Sequence, residues 1–317
     1  MARQRSSRSW SVLTQLEIAV TPWRLGNAAS LAEQGEFAEQ LEFHSFWLPE
    51  NHFGDNRSIP SPLTLLAAVA ARTSRIRLGS TSYLLPIRHP IQAAEEVAVL
   101  DHLSEGRVIL GIGRGIDPNM FHAFGVNPKR KRSIFNDHLS TMKRAWAGEP
   151  IELENGETVT LAPLPTQQPH PELWVAAFGP LALKQAGRLG LPYLASPGET
   201  VDKLTVNYGL FKEACVEAGQ PIPDITPVMR TLFVSDSNTA LNTVRRALAA
   251  SPSREPAAVE DWAIIGSKTE VADQIQGLRE KLGVTHLVAR GRLPDVDTPS
   301  LMTSLEALAE IRDSMLV

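Results

Sequence analysis

Short β-rich runs alternate with helical stretches along most of this chain, the pattern of a parallel sheet whose strands are joined by crossover helices. Leu16 to Val20 reads as the first strand and Ala28 to Leu41 as a helix, and Ser45 to Leu48 is a second strand ahead of a helix from Leu63 to Ala71. Further strands are expected at Ile76 to Ser82, Val108 to Gly111, Leu173 to Ala177, near Tyr193, at Thr226 to Val234 and at Thr285 to Ala289. Between them fall helices at Ile91 to Leu103, Ser133 to Trp146, Leu181 to Leu189, Val201 to Ala218, Thr239 to Ala249 and Thr269 to Leu282. So regular a series fits a closed (β/α)8 barrel of the α/β class, a TIM barrel, better than an open doubly wound sheet. The Pro-rich stretch Pro150 to Pro171 predicts a small insertion after the fourth helix, with a hairpin around Asn155 and Gly156. A barrel can keep 317 residues around one core, so the expected organisation is a flexible leader over residues 1–12 and a single domain over 13–317.

Charge and composition remove several function classes. A formal net charge of -4 offers no general attraction to nucleic acid or to a membrane surface. No window approaches the ~20 apolar residues of a membrane span. The run Lys129, Arg130, Lys131 and Arg132 reads as a solvated loop before a helix. Cys215 is the only cysteine, which excludes an intramolecular disulfide and fits a reducing, cytoplasmic setting. Eight histidines without a His-x-His pair at a strand end argue against a metal-dependent barrel hydrolase, so no metal is expected.

Chemistry in such a barrel sits where strands end at their C-terminal side. The second strand runs into Glu50, Asn51, His52 and Phe53, a carboxylate, an amide and an imidazole at the mouth. They can orient a cofactor and move a proton, or they can cap and brace the loop. The third strand ends in Gly79 to Tyr83, where Thr81 and Ser82 leave room for a flat ring; β-propensity and a tight turn account for the same residues. The fourth ends in Gly111, Ile112, Gly113, Arg114 and Gly115. That GxGxG spacing, with Asp117 and Pro118 interrupting the expected helix, is a poor dinucleotide fingerprint. Glycines admitting a close ligand, beside an arginine fork for a phosphate, suit it better. After the fifth strand come Ala177, Phe178, Gly179, Pro180 and Leu181, where a helix N-terminus offers amides to a phosphate or is only a well-started helix.

Three stretches together resemble the bacterial luciferase-like monooxygenases: Trp47 to Phe53; Leu66 to Gly79; and Leu85 to Pro90 leading into Ala94 to Arg107. Gly111 to Gly115 and Phe124 to Val126 continue the match, which covers residues 43–146 closely and the rest loosely. The resemblance implies a (β/α)8 barrel that binds reduced FMN supplied by a flavin reductase and uses dioxygen on a small organic substrate. In other branches a deazaflavin coenzyme supports hydride transfer, and the family also includes partner subunits with little activity of their own. It further implies a non-prolyl cis peptide between Thr81 and Ser82 under the ring, and a homodimer formed through the second and third helices.

Carried onto this sequence, the resemblance gives His52 and Asn51 the catalytic position at the reactive edge of the flavin. Glu50, Thr81, Ser82, Gly113, Arg114, Ala177, Phe178, Gly179, Pro180 and Leu181 become the cofactor-binding set. This chain departs from luciferase in three places. Asn51 stands where luciferase has the first of two histidines, Gly113 replaces a cysteine, and the serine and threonine that often hold the phosphate are absent from Phe178 to Leu181. Light emission is therefore not implied, and a phosphate would rest on Arg114 and backbone amides. Substrate choice is expected from the loops after strands one, four, seven and eight, including Pro22 to Asn27, Arg254 to Asp261 and Arg290 to Pro294.

Overall fold

A computed structural model describes residues 15–54, 58–250 and 257–315; the expected leader, residues 1–12, lies outside the described residues. Eight parallel strands form a ring: β1 Glu17–Val20, β2 Ser45–Leu48, β3 Arg77–Ser80, β4 Val108–Gly113, β5 Glu172–Ala176, β6 Tyr193–Leu194, β7 Pro227–Val234 and β8 His286–Arg290. Each pairs with the next, β8 pairs with both β7 and β1, and a bridge from Ala195 to Val228 joins β6 to β7 and closes the circle. All eight were legible as alternating elements, because buried parallel strands are short runs of β-branched and aromatic residues between helices.

Register sorts the inward residues into layers. Glu17, Ser45, Arg77, Glu172 and His286 lie at the N-terminal end; Ala19, Trp47, Ile109, Trp174, Leu194, Met229 and Val288 pack as one cluster in the middle. Residues two positions further along, such as Ala176 and Thr81, reach the C-terminal mouth. Outside the ring, the larger core cluster joins the opposite strand faces to the helices.

Some elements differ from the sequence reading. A ninth parallel strand, Ala263–Gly266, pairs with the upper half of β7 and was not expected, since four apolar residues carry no periodicity of their own. Asp117 and Pro118 do not interrupt a helix but begin one: Pro118–Ala123 starts with proline at its first position, and Asp117 accepts the Asn119 amide. The third strand stops at Ser80, the peptide between Thr81 and Ser82 is cis, and Tyr83–Leu84 then pairs with Ile112 and Gly113 of β4. After the helix Lys131–Trp146, the segments Ile151–Glu152 and Thr158–Val159 pair antiparallel around Asn155 and Gly156. Among the described residues no helix is long and apolar enough to cross a membrane.

Candidate functional site

A cavity of about 750 Å³ opens at the C-terminal mouth, toward the upper end of the about 300–1,000 Å³ of small-molecule sites. Every residue named from sequence as catalytic or cofactor-binding lines it, from Glu50, Asn51 and His52 through Thr81, Ser82, Gly113 and Arg114 to Ala177–Leu181. Leu194 and Met229 form part of its floor. The convergence follows from the ring, because residues 30 to 60 apart in sequence all sit at strand ends.

Glu50 has no exposed side-chain surface and is an organiser rather than a group reaching toward a ligand. Its Oε1 accepts from His52 Nε2 at 2.8 Å and Arg88 Nη2 at 2.7 Å, and its Oε2 accepts the Leu84 amide at 3.0 Å. A carboxylate only accepts, so His52 carries its proton on Nε2 and Nδ1 becomes the basic nitrogen. The ring of His52 packs edge-on to Phe124, with centroids 5.1 Å apart, and against Phe53. Asn51 braces its loop: its Oδ1 accepts the Ile59 amide at 2.9 Å, and its own amide donates to the Ile59 carbonyl. Glu50 and Asn51 brace the loop and also line the cavity beside His52, so the geometry has room for both readings of this cluster.

The glycines after β4 make room for protein, not only for a ligand. A Cβ at Gly111 would lie 2.0 Å from the Ser80 carbonyl oxygen, and one at Gly113 2.1 Å from Ser82 Oγ. Arg114, at the same turn, donates from Nη1 to Gln185 Oε1 at 3.0 Å, and Gln185 in turn donates to Asn136 and to the Arg132 carbonyl. Burial lowers the Arg114 pKa, and the neighbouring Arg132 charge lowers it further.

The basic run does not stop before a helix, as expected, but opens one, since Lys131 and Arg132 begin the helix Lys131–Trp146, and it is not merely solvated. Lys129, Lys131 and Arg132 line the cavity beside Arg114, and Lys131 Nζ donates to the Gly115 carbonyl at 3.1 Å. Burial, then Arg114 and Arg132, lower the Lys131 pKa. Among the described residues none of Arg114, Lys131 and Arg132 forms an ion pair, so like charges gather there with only Asp117 among the nearby lining acids. Such an arrangement stabilises a bound anion.

The helix Pro180–Leu189 offers less than its position suggested. Pro180 has no N–H, and the Ala182 and Leu183 amides both donate to the Gly179 carbonyl. Leu181 keeps the one first-turn amide not spent in this way. Of the loops expected to choose a substrate, Pro22 to Asn27 and Arg290 to Pro294 do not line the cavity, nor does the described part of Arg254 to Asp261; residues 254–256 lie outside the described residues. The expected loop after β4 does line it, through Ile116 and Asp117 with Met120 just beyond, and so does the short run Ala195–Pro197, which has no chemical signature in the sequence.

The luciferase-like monooxygenase family profile matches residues 9–251. Limonene 1,2-monooxygenase of Rhodococcus erythropolis is 31% identical over 218 residues, 64% of this chain and 56% of that protein. The oxygenase component of the flavin-dependent trigonelline monooxygenase of Acinetobacter baylyi is 31% identical over 220 residues, 65% of this chain and 59% of that one. The matched stretch thus spans less than two thirds of the length of these curated relatives. Among solved structures, the oxygenating constituent of 3,6-diketocamphane monooxygenase of Pseudomonas putida in complex with FMN superposes with TM-score 0.79 at 22% identity, covering 95% of this chain and 99% of that one. A coenzyme F420-dependent tetrahydromethanopterin reductase of Methanopyrus kandleri gives 0.70 at 19%, covering 93% and 98%. At those identities the likeness is one of fold.

Proposed function

This chain belongs to the luciferase-like monooxygenase family, and from that premise we propose that it is a flavin-dependent oxidoreductase, the oxygenase component of a two-component monooxygenase. It takes reduced FMN from a separate reductase and acts on a small organic substrate. One observation carries the reading: a cavity of about 750 Å³ gathers unpaired cations at one side and an oriented histidine among its lining. That donor set suits a planar ring with a phosphate tail.

In this reading Arg114, Lys131 and Arg132 hold the phosphate, helped by the Leu181 amide. Thr81, Ser82 and Gly113 underlie the ring, while Ala177, Phe178, Gly179 and Pro180 wall its far side. Reduced FMN, when bound, supplies the two electrons with which dioxygen is divided between substrate and water. The chain's own part is to orient and shield. Glu50 and Arg88 fix His52 so that Nδ1 can accept or return a proton at the cavity, and Phe53 and Phe124 beside it limit water.

A deazaflavin coenzyme is the second reading, supported by the four lining cations, which outnumber the roughly -1.5 to -2 charge of a phosphate monoester. Anaerobic titration with reduced FMN and with reduced deazaflavin, followed by exposure to air, separates the two. Tight binding of reduced FMN with oxygen uptake that accelerates when substrate is added is the expected result. Binding of deazaflavin alone, with no oxygen uptake, would move the assignment to hydride transfer. Binding of neither would end the flavin reading, and binding of FMN without turnover would indicate a partner subunit.

A further inference from the structure

One layer below the cavity, the barrel centre holds two tryptophans where such interiors are ordinarily filled by branched aliphatic residues. Trp47 on β2 and Trp174 on β5 are fully buried, with centroids 4.7 Å apart and planes inclined by 24°. Neighbouring strands are adapted to them: a Cβ at Gly79 would lie 2.2 Å from the Trp47 ring, and one at Gly111 3.1 Å. Leu194 and Met229, which pack in the same cluster as the indoles, line the cavity. So does Ala176, two residues beyond Trp174 on the same strand face and hence about 7 Å away along the strand.

Both indole N–H groups are held. Trp174 Nε1 donates to Glu172 Oε1 at 2.8 Å, and Trp47 Nε1 donates to Ser45 Oγ at 2.8 Å. Burial opposes ionisation of Glu172, but Arg77 at 2.5 Å and the Trp174 bond hold its carboxyl below the usual range, so an anion touches the stacked pair. Indole is the most easily oxidised of the neutral ring side chains. Stacking spreads a missing electron over two rings, and a carboxylate in hydrogen-bond contact offsets the resulting positive charge.

We propose that the Trp47–Trp174 pair is a one-electron donor to a redox ring bound in the cavity, with Glu172 stabilising the oxidised indoles; this rests on the flavin reading above. One electron leaves the stacked indoles and the ring gains it. No bond breaks, no proton needs to leave, and return of the electron restores both partners. The light-excited oxidised ring is the oxidant through which the step can be seen.

The test uses the full chain as wild type, Trp47→Phe, Trp174→Phe and Trp146→Phe. The last removes a buried indole from outside the barrel interior, where it donates to the Ala94 carbonyl. Binding of oxidised FMN is measured by equilibrium dialysis, and flavin fluorescence lifetime and transient absorption are then recorded after a laser flash. Expected are a bound lifetime at least about tenfold shorter than that of free FMN, an indole radical cation appearing as the excited ring decays, lifetimes several-fold longer in Trp47→Phe and Trp174→Phe, and no change in Trp146→Phe. Equal lifetimes in wild type and the first two variants overturn the proposal. If dialysis shows no FMN binding the flavin reading fails by itself, and the pair is tested in the free protein by flash oxidation with azide radicals. There the proposal requires an indole radical that persists several-fold longer in wild type than in Trp174→Phe, and equal decay overturns it.

Discussion

Two histidines at the N-terminal end of the barrel make its stability depend on pH in a calculable way. His44 and His286 meet edge-to-face at 5.1 Å, and burial drives the pKa of each down to about 4; His44 is lowered further by His286 and Arg77. Their unfolded value is about 6.5, so the folded state favours the neutral rings. Stability is complete above about pH 6.5 and is lost as pH falls from there toward about 4. For one histidine the loss at pH 5.5 is about 1.4 kcal/mol, rising to about 3 kcal/mol when the ring is fully protonated in both states. The charges interact, so the pair costs between about 1.4 and 3 kcal/mol at pH 5.5. Glu17 at the same end acts in the opposite direction, since burial raises its pKa, and it is present in both proteins compared below. Urea unfolding at pH 7.5 and 5.5 measures the slope in wild type and in His286→Gln. The substitution lowers stability at both pH values through lost packing; only the difference between them is diagnostic. Wild type should lose at least about 1 kcal/mol more than the variant over this interval. An equal loss in both proteins would refute the reasoning.

The phosphate assignment predicts that Arg114→Ala weakens FMN binding roughly ten- to a hundredfold, the value of one charge-assisted bond, and that Lys131→Ala reduces the salt dependence of the affinity; both are read by fluorescence titration. Gly111→Ala drives a Cβ to 2.0 Å from the Ser80 carbonyl, so the barrel should lose at least about 2 kcal/mol in urea unfolding. Glu50→Gln strips the buried partner from Arg88 and His52 and should cost about 3 kcal/mol while slowing turnover more than it weakens FMN binding. Val99 and Leu103, 46% and 57% exposed on the helix Pro90–Leu103, lie on the third helix through which the family resemblance implies a homodimer. Val99→Glu with Leu103→Glu should give a monomer in sedimentation velocity.

The ring was legible because its pattern is periodic: each strand is a short apolar run, and each crossover helix runs for about two and a half turns or more. Ala263–Gly266 was not, because its partner is the part of β7 that extends past the ring, a fact of three-dimensional register. At the site, the strand ends after β2 to β5 could be read as one mouth once the barrel was assumed. The basic run Lys129–Arg132 was visible as charge, but only the fold, which sets the start of the helix Lys131–Trp146 against Gly115, brings it to Arg114. Met229 and Ser196 carry no chemical mark; Met229 belongs to the cavity through the inward phase of β7, and Ser196 follows Leu194 just past the end of β6. The Glu50 network was equally hidden, since Arg88 and the Leu84 amide follow a different strand.

Crystallography of the protein soaked with FMN tests the central claim most directly. The phosphate should lie within hydrogen-bond distance of Arg114 and at least one of Lys131 and Arg132, with the ring lying on Thr81 and Ser82 and one edge toward His52. FMN bound anywhere else, or a ring in this cavity whose phosphate points away from Arg114, would contradict it.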